Sequence, residues 1–246
     1  MKIICSPLKN LLRVSAVVVL LLLHLASFAN IQLPRFFSDN MVLQRERLIP
    51  VWGWADPKEK ITVQFNQQTK RAVTGKDGRW RVDLSPETAG GPYTLTIKGK
   101  NNIVITNVLV GDVWICSGQS NMEMQIAAWG FINNYQQEIA AADYPGIRHF
   151  KVPLKIASQP KSDVSGGEWQ VCNPTNAGGF SAVAYFFARQ LNRELNIPIG
   201  LLNTTWGGTQ VESWTSREAF ENSDEFKTVI SGMKEVNLEE LEKIKA

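Results

Sequence analysis

Near the middle of the 246-residue chain lies a nearly continuous apolar run, Val108-Leu-Val-Gly-Asp-Val-Trp-Ile-Cys116. A run of this kind, without polar alternation, is typical of a strand buried on both faces of a parallel sheet. The segment Ser117-Gly-Gln-Ser120 follows it directly. The run therefore predicts an α/β layer with Ser120 at the carboxyl edge of the sheet, where ligands of open α/β folds bind.

The chain after this strand continues the α/β pattern. Ser181 can cap a helix over residues 181–196, and the run Ile199-Gly-Leu-Leu-Asn203 then predicts another buried strand. Residues 147–152 are a weaker strand candidate. Strand, helix and strand in this order indicate that residues 109–246 form an α/β domain. Val183, Phe187, Leu191 and Leu195 recur at spacing four in this segment, as expected along one side of a helix.

Residues 30–108 show a different pattern, with short alternating runs separated by turn residues. Three such runs are Ile61-Thr-Val-Gln-Phe65, Trp80-Arg-Val-Asp-Leu84 and Tyr93-Thr-Leu-Thr-Ile97. Alternation with period two predicts strands, and Gly75-Lys-Asp-Gly78 is a strong turn signal. We expect these residues to form a separate β-sandwich domain.

The first 29 residues have the layout of a cleavable signal peptide. Basic residues precede an apolar run, and small residues at Ser27 and Ala29 offer a cleavage site. The run is shorter than a membrane anchor requires, so we expect export to the periplasm or the medium without a stable anchor. Lys2, Lys9 and Arg13 account for the whole excess of 26 basic over 23 acidic residues. The rest of the chain is neutral overall, which argues against a nucleic-acid partner.

Ser120 has two interpretations from local sequence. A serine at the turn from a strand to a helix is placed to act as a nucleophile, with helix N–H groups nearby to stabilise an oxyanion. Ser120-Asn-Met-Glu123 is also a capping box, in which Ser120 caps a helix and Glu123 reaches back. The local pattern leaves both open.

Longer motifs resemble one family, the sialate O-acetylesterases of the SGNH (GDSL-like) hydrolases. The nucleophile block of that family is similar to Gly118-Gln-Ser-Asn-Met122, preceded by Gly111-Asp-Val-Trp-Ile115. Further similar blocks follow one another in the family's order. They are Phe37-Ser-Asp-Asn-Met-Val-Leu-Gln-Arg45, Val51-Trp-Gly-Trp-Ala55, Phe180-Ser-Ala-Val-Ala-Tyr-Phe-Phe-Ala-Arg189, Pro198-Ile-Gly-Leu-Leu202 and Trp206-Gly-Gly-Thr-Gln-Val-Glu-Ser-Trp214.

The resemblance implies a three-layer SGNH-type fold around a parallel sheet and hydrolysis of acetyl esters on sugars, with Ser120 forming an acetyl-enzyme. It also implies oxyanion donors from the Ser120 N–H, from Gly207 or Gly208, and from one side-chain amide. The candidate amides are Gln119, Asn121 and Gln210. Two alternatives stay open for the end of the last block. Glu212 and Trp214 line the sugar site, or Glu212 only begins a helix.

A general base is harder to find. Serine needs a neighbouring group to take its proton, and His149, the one histidine after the signal peptide, lies in a strand candidate. By resemblance the base belongs to an Asp-x-x-His block near the family's C-terminus, and no such block occurs here. Residues 223–246, rich in Glu and Lys with Leu238, Leu241 and Ile244 on one stripe, predict a surface helix without a closing strand. We therefore expect a domain truncated at its C-terminus, with a separately encoded C-terminal half as a possible partner.

The alternatives left open by the sequence are a deacetylase of another acetylated polymer such as xylan or pectin, a non-catalytic carbohydrate-binding protein, and a gene product without a stable fold. No metal site or cofactor is predicted, since the soft ligands for zinc are too few and no phosphate-binding glycine loop follows a strand. Cys116 and Cys172 could pair in an oxidising compartment, but the apolar surroundings of Cys116 favour a buried thiol.

Overall fold

The computed structural model describes residues 30–129, 132–157 and 160–232. The predicted signal peptide, residues 1–29, lies outside them. The strands are β1 (Val42–Gln44), β2 (Ile49–Trp54), β3 (Lys60–Phe65), β4 (Gln68–Val73), β5 (Arg79–Leu84), β6 (Gly90–Lys98), β7 (Asn102–Cys116), β8 (Tyr144–Lys151), β9 (Trp169–Cys172) and β10 (Ile199–Asn203). The α-helices are α1 (Ser120–Glu123), α2 (Tyr135–Ala140), α3 (Ala182–Leu195), α4 (Arg217–Glu221) and α5 (Lys227–Gly232), and two 3₁₀ turns span Ala177–Gly179 and Val211–Trp214.

The N-terminal strands pack as a ribbon against a sheet. β2 and β5 pair antiparallel, and alternate residues along both are buried, which is the period-two pattern of a half-buried strand. β4, β3 and β6 pair antiparallel in a larger sheet. Side chains of both groups, such as Val51, Val82 and Ile97, share one apolar core. The strands predicted at residues 61–65, 80–84 and 93–97 are confirmed.

β7 joins this region to the α/β region. It pairs antiparallel with β6 up to Val110, and its residues 112–116 pair parallel with β10. The larger sheet therefore runs in the order β4-β3-β6-β7-β10-β8-β9, with β1 also paired to β7. The structure thus differs from the predicted separate sandwich, because the boundary placed between residues 108 and 109 falls inside a continuous strand.

The α/β region has parallel strands, as the sequence predicted. β8 and β7 flank β10, and both pair with it in parallel, while β9 pairs antiparallel with β8. α3 packs against β8 and β10, and α1 packs against α3. On the opposite face, Phe150 and Trp169 belong to the core of the N-terminal strands. Among the described residues this face is therefore covered by β-structure, and not by the second helical layer of a three-layer fold.

α3 begins where the sequence predicts, and alanines form much of its buried face. Ser181 caps it, since its Oγ accepts a hydrogen bond from the Ala184 N–H at 3.2 Å. Val183, Phe187 and Leu195, which recur at spacing four, are 37%, 40% and 48% exposed, whereas Leu191 is partly buried against the core. The predicted helix is confirmed, and its fully buried positions carry mostly small side chains. The buried positions are Ala182, Ala184, Tyr185 and Ala188.

Two further predictions concern cysteines and the chain's end. Cys116 and Cys172 are free, buried thiols, as favoured from sequence, and burial raises the pKa of each to about 11. In the stretch 223–246, predicted as a surface helix, α5 spans Lys227–Gly232, and residues 233–246 lie outside the described ranges. None of the helices in the described ranges is both long and apolar enough to cross a membrane.

Candidate active site

Ser120 is the first residue of α1, directly after the turn that follows β7. Gly118 bends the chain there with a φ of 141°, which side chains strongly disfavour. The chain after β10 runs alongside: the Thr204 N–H donates to the Cys116 carbonyl and the Trp206 N–H to the Gly118 carbonyl, each at 2.9 Å. The carboxyl ends of β7 and β10 therefore hold Ser120 and the loop of residues 204–210 at one edge of the sheet.

Gly207 lies against Ser120. A Cβ placed on Gly207 would be 3.5 Å from Ser120 Oγ and 2.5 Å from Glu123 Oε2, so the site has no room for a side chain there. The Gly207 N–H donates to the Glu123 carboxylate and is therefore already engaged. Gly208, at a φ of 74°, has no heavy atom within 4 Å of a Cβ position and faces open space.

Glu123 does not complete a capping box. Gln119 is the N-cap of α1, and no side chain caps this helix. The Glu123 N–H donates to the Gln119 carbonyl at 2.9 Å, while its carboxylate turns to Gly207 and Lys151. The capping interpretation of Ser120 is therefore wrong, and the Ser120 hydroxyl has no capping role.

Lys151, the last residue of β8, connects three segments of the site. Its Nζ lies 3.4 Å from Glu123 Oε1, in an ion pair whose side chains are 33% and 23% exposed. The same Nζ donates to the Thr205 carbonyl at 3.1 Å and to Thr205 Oγ1 at 2.5 Å. One cation thus fixes α1 and the loop after β10 to the end of β8.

His149 is an ordinary strand residue and is not placed to act as a base. It is 2% exposed, and its ring stacks on Phe180 with centroids 4.4 Å apart. Asn203 Oδ1 accepts from the Thr205 N–H at 3.1 Å and from Thr205 Oγ1 at 2.7 Å, so Asn203 Nδ2 faces His149 Nε2 at 3.2 Å. Nε2 therefore accepts, and the ring is neutral. Burial, with the Lys151 charge as a smaller cause, lowers the pKa of His149 to about 3.

The remaining predicted site residues are Gln119, Asn121, Gln210 and Glu212. Gln119 and Asn121 flank Ser120 in sequence, whereas Gln210 and Glu212 lie farther along the loop after β10. All four side chains are at least partly exposed, as substrate-binding groups need to be. Glu212 lies within the 3₁₀ turn Val211–Trp214.

Sequence reasoning missed the polar network beneath Ser120, formed by Glu123, Lys151, Asn203 and Thr205. One signal could have found two of its members. Lys151 and Asn203 are the last residues of β8 and β10, and polar residues that end apolar parallel strands converge at the ligand-binding edge. The pairing of Glu123 with a glycine N–H leaves no comparable trace in the sequence.

A cavity of about 570 Å³ opens beside this network. Trp206 and Trp214 line it together with the hydroxyl-bearing residues Thr205, Thr209 and Ser213, and residues 152–157 form its other wall. Aromatic walls with a few polar groups are typical of small-molecule sites. Within the described ranges, no group of three or more His, Cys, Asp or Glu side chains could hold a metal ion.

Comparisons with known proteins agree on one family. Residues 110–246 match a family model described as "Carbohydrate esterase, sialic acid-specific acetylesterase". The chain is 35% identical over 204 residues to sialate O-acetylesterase of Rattus norvegicus, covering 75% of this chain and 37% of that protein. The human sialate O-acetylesterase is 34% identical over 201 residues, covering 74% and 38%.

A solved structure is also similar. The crystal structure of a carbohydrate acetylesterase from Xanthomonas citri matches with a TM-score of 0.75 and 39% identity, covering 79% of this chain and 44% of that one. The chain thus spans less than half the length of each of these proteins.

Proposed function

Because the chain belongs to the family of carbohydrate esterases described as sialic acid-specific acetylesterases, we propose that it takes part in hydrolysing O-acetyl esters on sugars, with Ser120 as the nucleophile. The position of Ser120 carries the proposal. Ser120 lies at the carboxyl edge of a parallel sheet, and its hydroxyl is beside Gly207 of the loop after β10. Other residues of that loop line a cavity with tryptophan walls. Ligand sites of open α/β sheets occupy this place.

The reaction we propose has two steps. Ser120 Oγ attacks the acetyl carbonyl while a base takes its proton, and the sugar hydroxyl leaves with a proton. Water then attacks the acetyl-enzyme, releasing acetate and restoring the Ser120 hydroxyl. The carbonyl oxygen becomes an anion in each step and needs N–H donors within about 3 Å.

The donors we propose are the Ser120 N–H, the Gly208 N–H and one amide among Gln119, Asn121 and Gln210. Gly207 is less suited, since its N–H donates to Glu123. Its lack of a side chain instead leaves space beside Ser120 Oγ. We propose Glu212 and Trp214 as side chains that contact the sugar, because Trp214 lines the cavity and Glu212 is exposed near it.

The base we propose comes from outside the described residues, within a C-terminal portion of the esterase. His149 is unsuitable because it is buried, neutral and already bound to Asn203. An acetylated sialic acid is the proposed substrate, supported by the names of the rat and human relatives. Export through residues 1–29 is proposed as well, which places the enzyme where acetylated glycans occur.

The test measures acetate release from acetylated sialic acid and from acetyl-xylan. The chain is assayed alone and co-produced with the portion of the Xanthomonas citri acetylesterase outside the match. We expect acetate release from acetylated sialic acid only in the co-produced sample. In that sample Ser120→Ala should lower the rate of acetate release at least about 100-fold, because the nucleophile is removed. Ser117→Ala, a control three residues before Ser120, should release acetate at the rate of the parent chain. Equal activity in Ser120→Ala would remove Ser120 from the mechanism.

A further inference from the structure

The outer face of the ribbon formed by β2 and β5 carries aromatic and basic side chains opposite each other. In both strands every second residue is buried, so Trp52 and Trp54 of β2 and Arg79 and Arg81 of β5 lie on the other face. Trp52 is paired directly with Arg81, and Trp54 with Arg79. The tryptophans are partly exposed and the arginines are exposed. All four residues line a cavity of about 680 Å³.

The aromatic part of this surface is held in place by the rest of the protein. The Trp52 ring packs edge-on against Phe37 with centroids 4.9 Å apart, and two backbone hydrogen bonds, of 2.8 and 2.9 Å, join Trp54 to Gln32. Trp80 also lines the cavity and is 3% exposed, yet its Nε1–H has no hydrogen-bond partner among the described residues. Buried donors are normally satisfied, and an oxygen acceptor in the cavity would satisfy this one.

The basic part of the surface carries an excess of positive charge. Among the hydrogen bonds and ion pairs of the described residues, Arg79 takes part only through its backbone. Arg81 pairs with one carboxylate oxygen of Asp83 at 2.8 Å, but the two side chains are 63% and 42% exposed, so this pair is weak. Asp77 is the only acid among the described residues that line the cavity, and its Oδ1 accepts from the Arg79 N–H at 3.2 Å. The lining therefore attracts anions.

This cavity has neighbours that lead toward the candidate active site. Ser162 lines both it and a second cavity of about 960 Å³. The second cavity in turn shares Lys155 and Ser213 with the cavity of about 570 Å³ in the candidate active site. Lys155 and Lys161 add cations along this path, whereas Asp163, the acid that lines the second cavity, already accepts backbone N–H groups. The three cavities therefore form a basic path from the ribbon to the loop after β10.

We propose that the ribbon surface, defined by Trp52, Trp54, Arg79 and Arg81, binds a glycan chain that carries carboxylates, such as a chain of sialic or uronic acids. The apolar C–H faces of the sugar rings pack on the tryptophans. The planar guanidinium groups donate pairs of hydrogen bonds to the carboxylates. A neutral glycan would leave the arginines without an anion. This site goes beyond the proposed reaction, because it needs neither an ester nor Ser120.

The test measures binding of unacetylated probes to the full chain by isothermal titration calorimetry, so that no ester is hydrolysed. Polysialic acid and polygalacturonic acid carry carboxylates on sugar rings. Dextran has sugar rings without charge, and polyglutamic acid has carboxylates without sugar rings. We expect at least one acidic glycan to bind with a dissociation constant at least about tenfold lower than those of dextran and polyglutamic acid, because only an acidic glycan engages both the tryptophans and the arginines. The tighter of the two acidic glycans identifies the kind of sugar.

Single substitutions then place the binding on the ribbon. Arg79→Gln and Trp54→Ala should each raise the dissociation constant of the acidic glycan at least about fivefold, while Trp54→Phe, which keeps an aromatic ring, should stay closer to the parent. Arg71→Gln is the matched control, because Arg71 is another exposed arginine, on β4, and lines none of the three cavities. Circular dichroism checks that each variant is folded, and Arg79→Gln keeps the test decisive if Trp54→Ala unfolds, since Arg79 is exposed.

Three results would overturn the proposal. Neither acidic glycan binds more tightly than dextran, or polyglutamic acid binds as tightly as the acidic glycans, which would reduce the site to attraction between charges. The third is an equal dissociation constant in Arg79→Gln and Arg71→Gln. Because no probe carries an acetyl ester, each of these results is independent of whether the chain takes part in ester hydrolysis.

Discussion

His149 and Asn203 are polar residues near the ends of β8 and β10 that bind other protein groups and are buried. Asn203 binds His149 through Nδ2 and Thr205 through Oδ1, and Lys151 adds a positive charge nearby. The pair lies near the edge of the sheet that carries Ser120, yet each of the two residues is only 2% exposed. The network therefore sets the position of the loop that faces Ser120, and it depends on His149 being neutral.

This dependence predicts a loss of stability in acid. The pKa of His149 is about 3 in the folded protein and about 6.5 in an unfolded chain. Below about pH 6.5 the unfolded state binds the proton first, so the free energy of unfolding falls by at most about 1.4 kcal/mol per pH unit until about pH 3. Above pH 6.5 the effect vanishes.

Urea unfolding of the parent and of His149→Gln at pH 7, 5.5 and 4.5 measures this. Protonation of carboxylates such as Asp112, whose pKa is lowered in the fold, also destabilises the protein in acid. That loss should be the same in the parent and in the variant. The stability of the parent relative to the variant should therefore decrease as the pH falls. A pH-independent difference would show that His149 does not titrate in this way.

Among the elements, α3 shows the limit of periodicity as a guide to packing. Val183 and Phe187 are four residues apart, and so are Ala184 and Ala188, so either pair can mark one face of a helix. Hydrophobicity alone would favour burial of the face with Val183 and Phe187. The structure buries Ala184 and Ala188 because helix and strands come close together. Hydropathy patterns report where an apolar residue recurs, but they do not report how much space the facing strands leave.

Substitutions on the two faces of α3 should therefore change the free energy of unfolding by different amounts. Ala188→Leu adds bulk at a position with 0% exposure and should cost about 1–3 kcal/mol by overpacking. Val183→Ala, on the 37% exposed face, should change stability by about 0.5 kcal/mol or less. Chemical denaturation of both variants distinguishes the faces. The reverse order of effects would show that Val183, and not Ala188, lies on the face that packs against the strands.

Over the whole molecule, β7 unites the N-terminal strands and the α/β region in a single structure. The sequence indicated the strands, the position of Ser120 and the family blocks, because each depends on local pattern. It did not indicate that the same strand serves both regions, because the antiparallel pairing with β6 and the parallel pairing with β10 involve distant residues. The network of Glu123 and Lys151 was missed for the same reason.

A shared strand predicts a single unfolding transition. Ile61 of β3 is fully buried in the N-terminal core, and Ile61→Ala should cost about 2–5 kcal/mol. Tryptophan fluorescence and far-ultraviolet circular dichroism should report the same shifted midpoint, since both regions unfold together. Val73→Ala, at a 61% exposed position, serves as the control. Two separated transitions would show that the regions are independent domains.

The burial of Asn203 has a consequence for how the protein is produced. Asn203-Thr-Thr205 is an acceptor pattern for N-glycosylation, which normally lies on the surface. The folded state has room for no sugar there, since Asn203 is 2% exposed and Thr205 is 0% exposed. The folded chain is therefore a poor acceptor. If a secretory host such as yeast attached a glycan to Asn203 before β10 formed, that glycan would keep β10 from taking its buried place, whereas a bacterial host without this modification leaves the strand free to form.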